Sequence, residues 1–219
     1  MEQNILTPAQ AAVIARVANE PKLAGFYLTG GTALTAYYLG HRRSDDLDFF
    51  IFTEPDGIFL QGFAEQLKAL LKASGVHFEK LFDRHQFFFT LASGELKVEF
   101  TRYPFVQLEL PTISEGLKVD SQRDIAANKL MTILDRFDPK DFVDLFFLLQ
   151  QFSLSAVRQD METKFGVKVE DIFLGGELVK VRRIEALPRM HKALTVAEVK
   201  EFFMDLAKQL APTVLQDDT

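Results

Sequence analysis

Apolar positions follow two kinds of spacing, and the change falls near the middle of the chain. Residues 26–29 (FYLT) form a short run suited to a buried strand, broken by Gly30-Gly31. The stretch 32–39 has helical character and meets a natural stop at Gly40. A polar loop over 41–45 leads into 46–52 (DLDFFIF), whose alternation and aromatics predict a strand. Phe63, Leu67, Leu70 and Leu71 give 59–73 a helical period, closed by Ser74-Gly75. A strand is predicted over 77–82, then a hairpin of 86–92 and 95–103 around Ser93-Gly94. After Pro104 and Pro111 the spacing becomes helical throughout, over 124–136, 139–151, 155–165 and 195–210. At the front, Thr7 and Gln10 stand at capping-box spacing around Pro8, which reads as a helix start and not as a leader peptide. Residues 216–219 are expected to fray.

The alternation in 46–52 sets Asp46 and Asp48 on one face and Leu47, Phe49 and Ile51 on the other. Their Cα atoms then lie roughly 6.6 Å apart, at about 3.3 Å per residue. Two carboxylates so close repel each other and resist burial, and a bridging divalent cation removes that penalty. Mg²⁺ suits such a site because it takes hard oxygen ligands and few of them from protein. An isolated D-x-D is more often a solvent-facing strand end. Here a glycine pair lies just upstream, between a strand and a helix, where backbone can approach an anion. An anion cradle, a basic loop and paired carboxylates together meet the needs of phosphoryl or nucleotidyl transfer.

Composition narrows the field. The 219 residues are 47% apolar and 26% charged, ordinary for a globular chain with a substantial core. The 22 phenylalanines, with no tryptophan, read as core filler. The absence of cysteine excludes a disulfide framework and a thiolate metal site, and fits a cytoplasmic protein. No apolar run reaches the ~18 residues of a membrane span. With a net charge of −6, bulk phosphate neutralisation is excluded, so any nucleic acid must meet a local patch. Lys180, Arg182, Arg183, Arg189, His191 and Lys192, crowded within thirteen positions, are the candidates, with an ordinary solvated loop and helix face as the alternative.

Gly30-Gly31-Thr32-Ala33-Leu34, followed by His41, Arg42, Ser44, Asp46, Leu47, Asp48 and Phe49, resembles the nucleotidyltransferase-fold toxin family of AbiEii/AbiGii type. That family is a branch of the DNA polymerase β-like nucleotidyltransferase superfamily, found in type IV toxin–antitoxin and abortive-infection systems. The likeness continues through Lys129, Arg136, Lys140, Asp141 and Asp144, with one inserted residue near Asp138-Pro139, and spans about residues 24–150. The superfamily's commoner Gly-Ser pair is Gly-Gly here, which removes a hydroxyl from the cradle.

The resemblance implies an α/β (α+β) nucleotidyltransferase core with a small mixed sheet over 1–105, and a helical domain over 106–219 closing one side of a cleft. It implies two Mg²⁺ ions on Asp46 and Asp48, with a third acidic ligand from a later strand. Glu99 is the candidate, with an ordinary cross-hairpin glutamate as the even alternative. Gly30, Gly31, Thr32, Arg42, Ser44 and Lys129 are expected to bind the nucleoside triphosphate. Lys129 and Asp144 join Asp46 and Asp48 as the catalytic set, while Asp141 supports them. The implied acceptor is RNA, tRNA first, and the implied protein partner is a cognate antitoxin. Two alternatives stay open at this point: a non-catalytic nucleotide- or partner-binding module, and a transferase that modifies a protein or an antibiotic.

Overall fold

The computed structural model of the chain describes residues 5–210, so the expected fraying of 216–219 lies outside the described residues. The chain divides into two compact units. One comprises Met1–Gly40, Ser44–Phe105 and Leu110–Ser121, and the other His41–Arg43, Val106–Glu109 and Gln122–Thr219. The division expected at 105/106 therefore meets a chain that passes repeatedly from one unit to the other.

The first unit is built on a mixed seven-stranded sheet. Its strands are β1 (Tyr27–Thr29), β2 (Leu47–Ile51), β3 (Gly75–Leu81), β4 (Arg84–Leu91), β5 (Gly94–Arg102), β6 (Thr112–Ser114) and β7 (Leu117–Val119), in the order β3-β4-β5-β2-β1-β7-β6. β2 runs antiparallel to β1 and parallel to β5, while β7 runs parallel to β1. The β6–β7 hairpin is absent from the periodicity because each strand has only three residues, too few to show alternation. It turns through Glu115 and Gly116, at φ 48° and 83°. Helix α1 (Pro8–Ala18) starts at the expected capping box: Gln10 N–H donates to the Thr7 hydroxyl at 3.2 Å, and Thr7 N–H to the Gln10 side-chain Oε1 at 2.9 Å. Helix α3 (Gly57–Leu71) starts at Asp56, which caps two N–H groups, and stops at Lys72 in the left-handed region. Leu47 and Phe49 enter the core as their alternation requires, beside Leu96, Val98 and Phe100. Phe26, Phe49, Phe63 and Phe87 all pack on the Phe100 ring, at centroid distances of 5.3, 5.2, 6.2 and 6.3 Å. The expectation that phenylalanine fills the core holds for these rings, whereas Phe52, Phe82, Phe105 and Phe173 are exposed.

The second unit is helical: α4 (Gln122–Asp135), α5 (Pro139–Leu148), α6 (Leu154–Phe165), α7 (Asp171–Val179) and α8 (Val196–Leu210). Asp138 caps α5 ahead of Pro139, and Ser153 caps α6. Edge-to-face pairs of Phe142 with Phe203, and of Phe146 with Phe202, fasten α5 to α8. α7 is the helix that the sequence pattern passes over; its DIFLGGELV carries two adjacent glycines and leaves Ile172 and Phe173 exposed. No helix among the described residues is long and apolar enough to cross a membrane.

Candidate active site

The sheet register brings the glycines to the carboxylates. Thr29, the last residue of β1, lies opposite Asp48. The chain leaving Thr29 must turn at once beside the Asp48 side chain, and Gly30 does so at φ +71°. A Cβ on Gly30 would stand 2.7 Å from Asp48 Oδ2, closer than any real contact. Glycine is therefore required twice at this position, for the backbone angle and for the space that the carboxylate fills. Helix α2 (Gly30–Leu34) begins there and widens into a π-turn over Thr35–Leu39, closed by Gly40 at φ 55°. The Thr32 hydroxyl donates to the Asp46 carbonyl, tying the helix start to the beginning of β2. Gln10, buried in α1, donates to the carbonyls of Ser44 and Asp45 at 2.9 and 3.1 Å. Asp46 and Asp48 are thus held half-buried, braced through the backbone around them. The Asp46 carboxylate carries no hydrogen bond or ion pair among the described residues. An unspent, half-buried carboxylate next to a second one on the same strand face is a donor set that fits a hard divalent cation.

Glu99 does not complete it. It lies beside Asp48 in the β2–β5 register, where a third ligand would be expected. It is only 2% exposed, and its oxygens are already engaged. Arg84 grips it with Nε and Nη2 at 2.6 and 2.8 Å, Gln86 donates at 2.7 Å, the Thr101 hydroxyl at 2.7 Å, and Lys97 Nζ stands at 2.8 Å. Burial raises the Glu99 pKa, but hydrogen bonds from Arg84, Gln86 and Lys97 outweigh it and hold the carboxyl at about 2. Among the described residues, no group of three or more His, Cys, Asp or Glu side chains is gathered to hold a metal ion. The expected three-carboxylate set is replaced by a pair, because cross-strand cations have taken the third member.

Three further expected residues, Arg42, Lys129 and Asp144, meet in the helical unit. Asp144 is fully buried and accepts Arg42 Nε and Nη2 at 2.6 and 2.7 Å and His41 Nε2 at 2.8 Å. Lys129 Nζ lies 2.7 Å from both Asp144 and Asp141, and Arg136 reaches the other Asp141 oxygen at 3.2 Å. Arg42 and Lys129 balance Asp141 and Asp144, so the charges can be buried together. Burial pushes the Asp144 carboxyl up, but Lys129, His41 and Arg42 hold it well below the ordinary carboxylate range. Burial alone would lower the Lys129 ammonium, and Asp144 and Asp141 outweigh it to hold it above its usual value. His41, buried edge-on to Phe147, has its pKa lowered by desolvation, and its Nδ1 has no hydrogen-bond partner among the described residues. Arg42 and Lys129, expected on the triphosphate, thus spend their donors inside the protein, and Asp144 is their shared acceptor. Lys129, placed in sequence on a cleft-facing helix surface, is 9% exposed.

This cluster fixes the segment that leads to the carboxylates. His41–Arg43 belongs to the helical unit, whereas Ser44 and strand β2 belong to the sheet unit. Arg42 pairs with Met190 in an antiparallel bridge. Arg43 N–H donates to the Arg189 carbonyl at 2.8 Å, and the N–H groups of His191 and Lys192 to the His41 carbonyl at 2.9 and 3.0 Å. The basic residues of 180–192 divide accordingly. Lys180 is spent on Glu177, Arg183 lies over Phe137 at 4.4 Å, and Lys192 over Phe147 at 5.7 Å. Arg182, Arg189 and His191 are exposed and carry no ion pair among the described residues. The groups that sequence reasoning passed over are Gln10, Arg84, Gln86 and Asp120, the last accepting from the Thr29 hydroxyl at 2.7 Å. Only Arg84 and Gln86 left a signal, as polar residues two apart at the head of a β-rich run.

The family model for the nucleotidyl transferase AbiEii toxin of type IV toxin–antitoxin systems matches residues 12–215. A curated Aquifex aeolicus protein of uncharacterised role is 38% identical over 129 residues; the match covers 58% of this chain and 58% of that protein's own length. A candidate nucleotidyltransferase from H. pylori superposes with a TM-score of 0.63 at 17% identity, covering 96% of this chain and 95% of its own. The Mycobacterium tuberculosis nucleotidyltransferase toxin MenT4 superposes with a TM-score of 0.51 at 17% identity, covering 99% and 87%. At such identities these two structures speak to the fold, a mixed sheet with helices, which is the class expected from sequence.

Proposed function

Because the chain belongs to the AbiEii nucleotidyl transferase toxin family over residues 12–215, we propose that it moves a nucleoside monophosphate from a nucleoside triphosphate to an acceptor hydroxyl. The observation that carries this reading is the Asp48 carboxylate seated against Gly30, with the unspent Asp46 carboxylate next to it. These two residues would hold Mg²⁺, which when bound supplies charge stabilisation for the attacking and leaving oxygens. Gly30, Gly31 and the first turn of α2 present backbone N–H groups to phosphate oxygens. Thr32 and Gln10 act one step back, through the Asp46, Asp45 and Ser44 carbonyls. The acceptor oxygen attacks the α-phosphorus, the bond to the bridging oxygen breaks, and pyrophosphate leaves with the electron pair. The acceptor's proton passes to solvent or to a carboxylate.

For the acceptor we favour RNA. What supports it is the exposed set Arg182, Arg189 and His191 in the helical unit of a chain with a net charge of −6. In a toxin family, the companion protein would be an antitoxin. The deciding experiment supplies a cell extract with each α-phosphate-labelled nucleoside triphosphate in turn and tracks the label. Label on a small RNA, dependent on Mg²⁺ and lost in Asp46→Ala and Asp48→Ala with unchanged melting, is the expected outcome. Label on protein or on a small molecule would remove RNA, and no incorporation with any nucleotide would remove transfer itself. Growth arrest on expression, relieved by a co-encoded gene, tests the toxin role.

A further inference from the structure

Glu99 occupies the place of a third metal ligand but has the surroundings of something else. Two cations, Arg84 and Lys97, stand on its single negative charge. A dication brought to Glu99 would meet both of them at contact distance, where like charges repel by several kcal/mol at an effective dielectric of about 20. Arg84 and Lys97 outnumber the one carboxylate they hold, so around Glu99 itself a positive charge is left over for an anion.

Arg84 is the cation best presented. Nε and Nη2 are locked on the two Glu99 oxygens in the bidentate geometry that fixes a guanidinium plane. Nη1 has no partner among the described residues, and the side chain is 41% exposed although its acceptor is buried. Register puts the two cations on either side of the Asp48–Glu99 row: Glu99 lies between Asp48 and Gln86, Arg84 stands opposite Thr101 on the Phe50 side, and Lys97 precedes Val98, the partner of Leu47, on the Asp46 side, all on one face. All these residues belong to the sheet unit.

We propose that Glu99 is a positioning residue and not a metal ligand, and that it aims Arg84, with Lys97 on its other side, at a substrate phosphate beside Asp48. This rests on the nucleotidyl-transfer reading and adds to it a fixed cationic wall. Phosphoryl chemistry requires one, because charge on the equatorial oxygens is stabilised best by donors already in place. The ligand is a phosphate oxyanion, from either the triphosphate tail or the acceptor strand.

The test uses the full chain and three probes: Mn²⁺ alone, inorganic triphosphate, and a 5′-phosphorylated oligoribonucleotide. Glu99→Gln is expected to keep Mn²⁺ affinity within about threefold and to weaken a phosphate probe by about tenfold or more, as Arg84→Gln does. The double variant should be no weaker than either single one, since the residues act as a unit. Arg84→Lys should rescue little, because an ammonium cannot hold two carboxylate oxygens and a phosphate in one plane. Loss confined to triphosphate places Arg84 on the nucleotide, and loss confined to the oligoribonucleotide places it on the acceptor. Mn²⁺ binding that falls about ten- to a hundredfold in Glu99→Gln overturns the proposal and returns Glu99 to the metal. Unchanged binding of both phosphate probes by Arg84→Gln overturns it too, and that arm stands even where Glu99→Gln does not fold. Wild-type protein that binds neither Mn²⁺ nor triphosphate sinks the transfer reading as a whole, whereas a binding wild type with an indifferent Arg84→Gln sinks only this assignment.

Discussion

At Gly30 a single missing methyl decides whether the site exists. Gly30→Ala would place Cβ on the Asp48 carboxylate and force a side-chain-bearing residue to φ +71°. Strain of this kind costs about 1–3 kcal/mol, and moving the carboxylate is the cheaper escape. Metal affinity is therefore expected to fall more steeply than thermal stability, which Mn²⁺ titration beside a melting curve would separate. Glu99 gives the second prediction at this scale. Its folded pKa is depressed from 4.5 to about 2, so its stabilisation is complete above the unfolded value and disappears as the pH falls through the folded one. The displacement is worth about 3 kcal/mol, lost between about pH 4.5 and 2. Glu99→Gln should flatten unfolding free energy against pH over that window, and an unchanged slope would show that Glu99 is not held as described.

Among the elements, α4 and α5 are tied to the His41–Arg43 segment by charge. Removing one partner from a buried ion pair leaves the other uncompensated, at a cost of about 3–5 kcal/mol. Lys129→Ala is thus expected to lower the melting temperature by many degrees, contrary to the expectation from sequence that it would act on the nucleotide alone. Lys129→Met with Asp141→Asn should recover much of the loss, since charge and partner leave together; chemical denaturation of the two proteins decides it. Legibility in the sequence depends on the range of the interaction. Asp46, Asp48 and their apolar counterparts emerge from alternation inside one strand, and the glycine stop from its neighbours. Arg84 does not, because its reach to Glu99 depends on the turn. A two-residue turn at Ser93-Gly94 would set Glu99 opposite Phe88, whereas the actual turn at Ala92-Ser93 pairs it with Gln86. Arg42 and Asp144 stand 102 residues apart, and no local pattern announces a partner at that distance.

Over the whole molecule, connectivity forbids a simple cut. The chain passes between its units after Gly40, Arg43, Phe105, Glu109 and Ser121. A fragment of residues 1–105 lacks β7, so β1 loses its parallel neighbour, and Thr29 loses its bond to Asp120. A fragment of residues 106–219 keeps Asp144 but not the Arg42 that neutralises it. Neither is expected to fold alone, and the full chain should melt in one transition seen equally by near-ultraviolet and far-ultraviolet dichroism. Two separated transitions, or a folded 1–105 fragment, would show that the units are independent.

The bridge between Arg42 and Met190 also has a consequence in time. Synthesis delivers residues 41–43 long before the stretch that bonds to them, since the partners of His41 and Arg43 lie at Arg189, His191 and Lys192. Domains otherwise tend to fold from the N-terminus as the chain emerges. Here the carboxylates can be made and the sheet begun while the residues directly ahead of them still lack their partners. A nascent chain that has not yet reached residues 189–192 is thus expected to hold Asp46 and Asp48 on an unfastened lead-in, and to lack the transfer proposed for the folded protein.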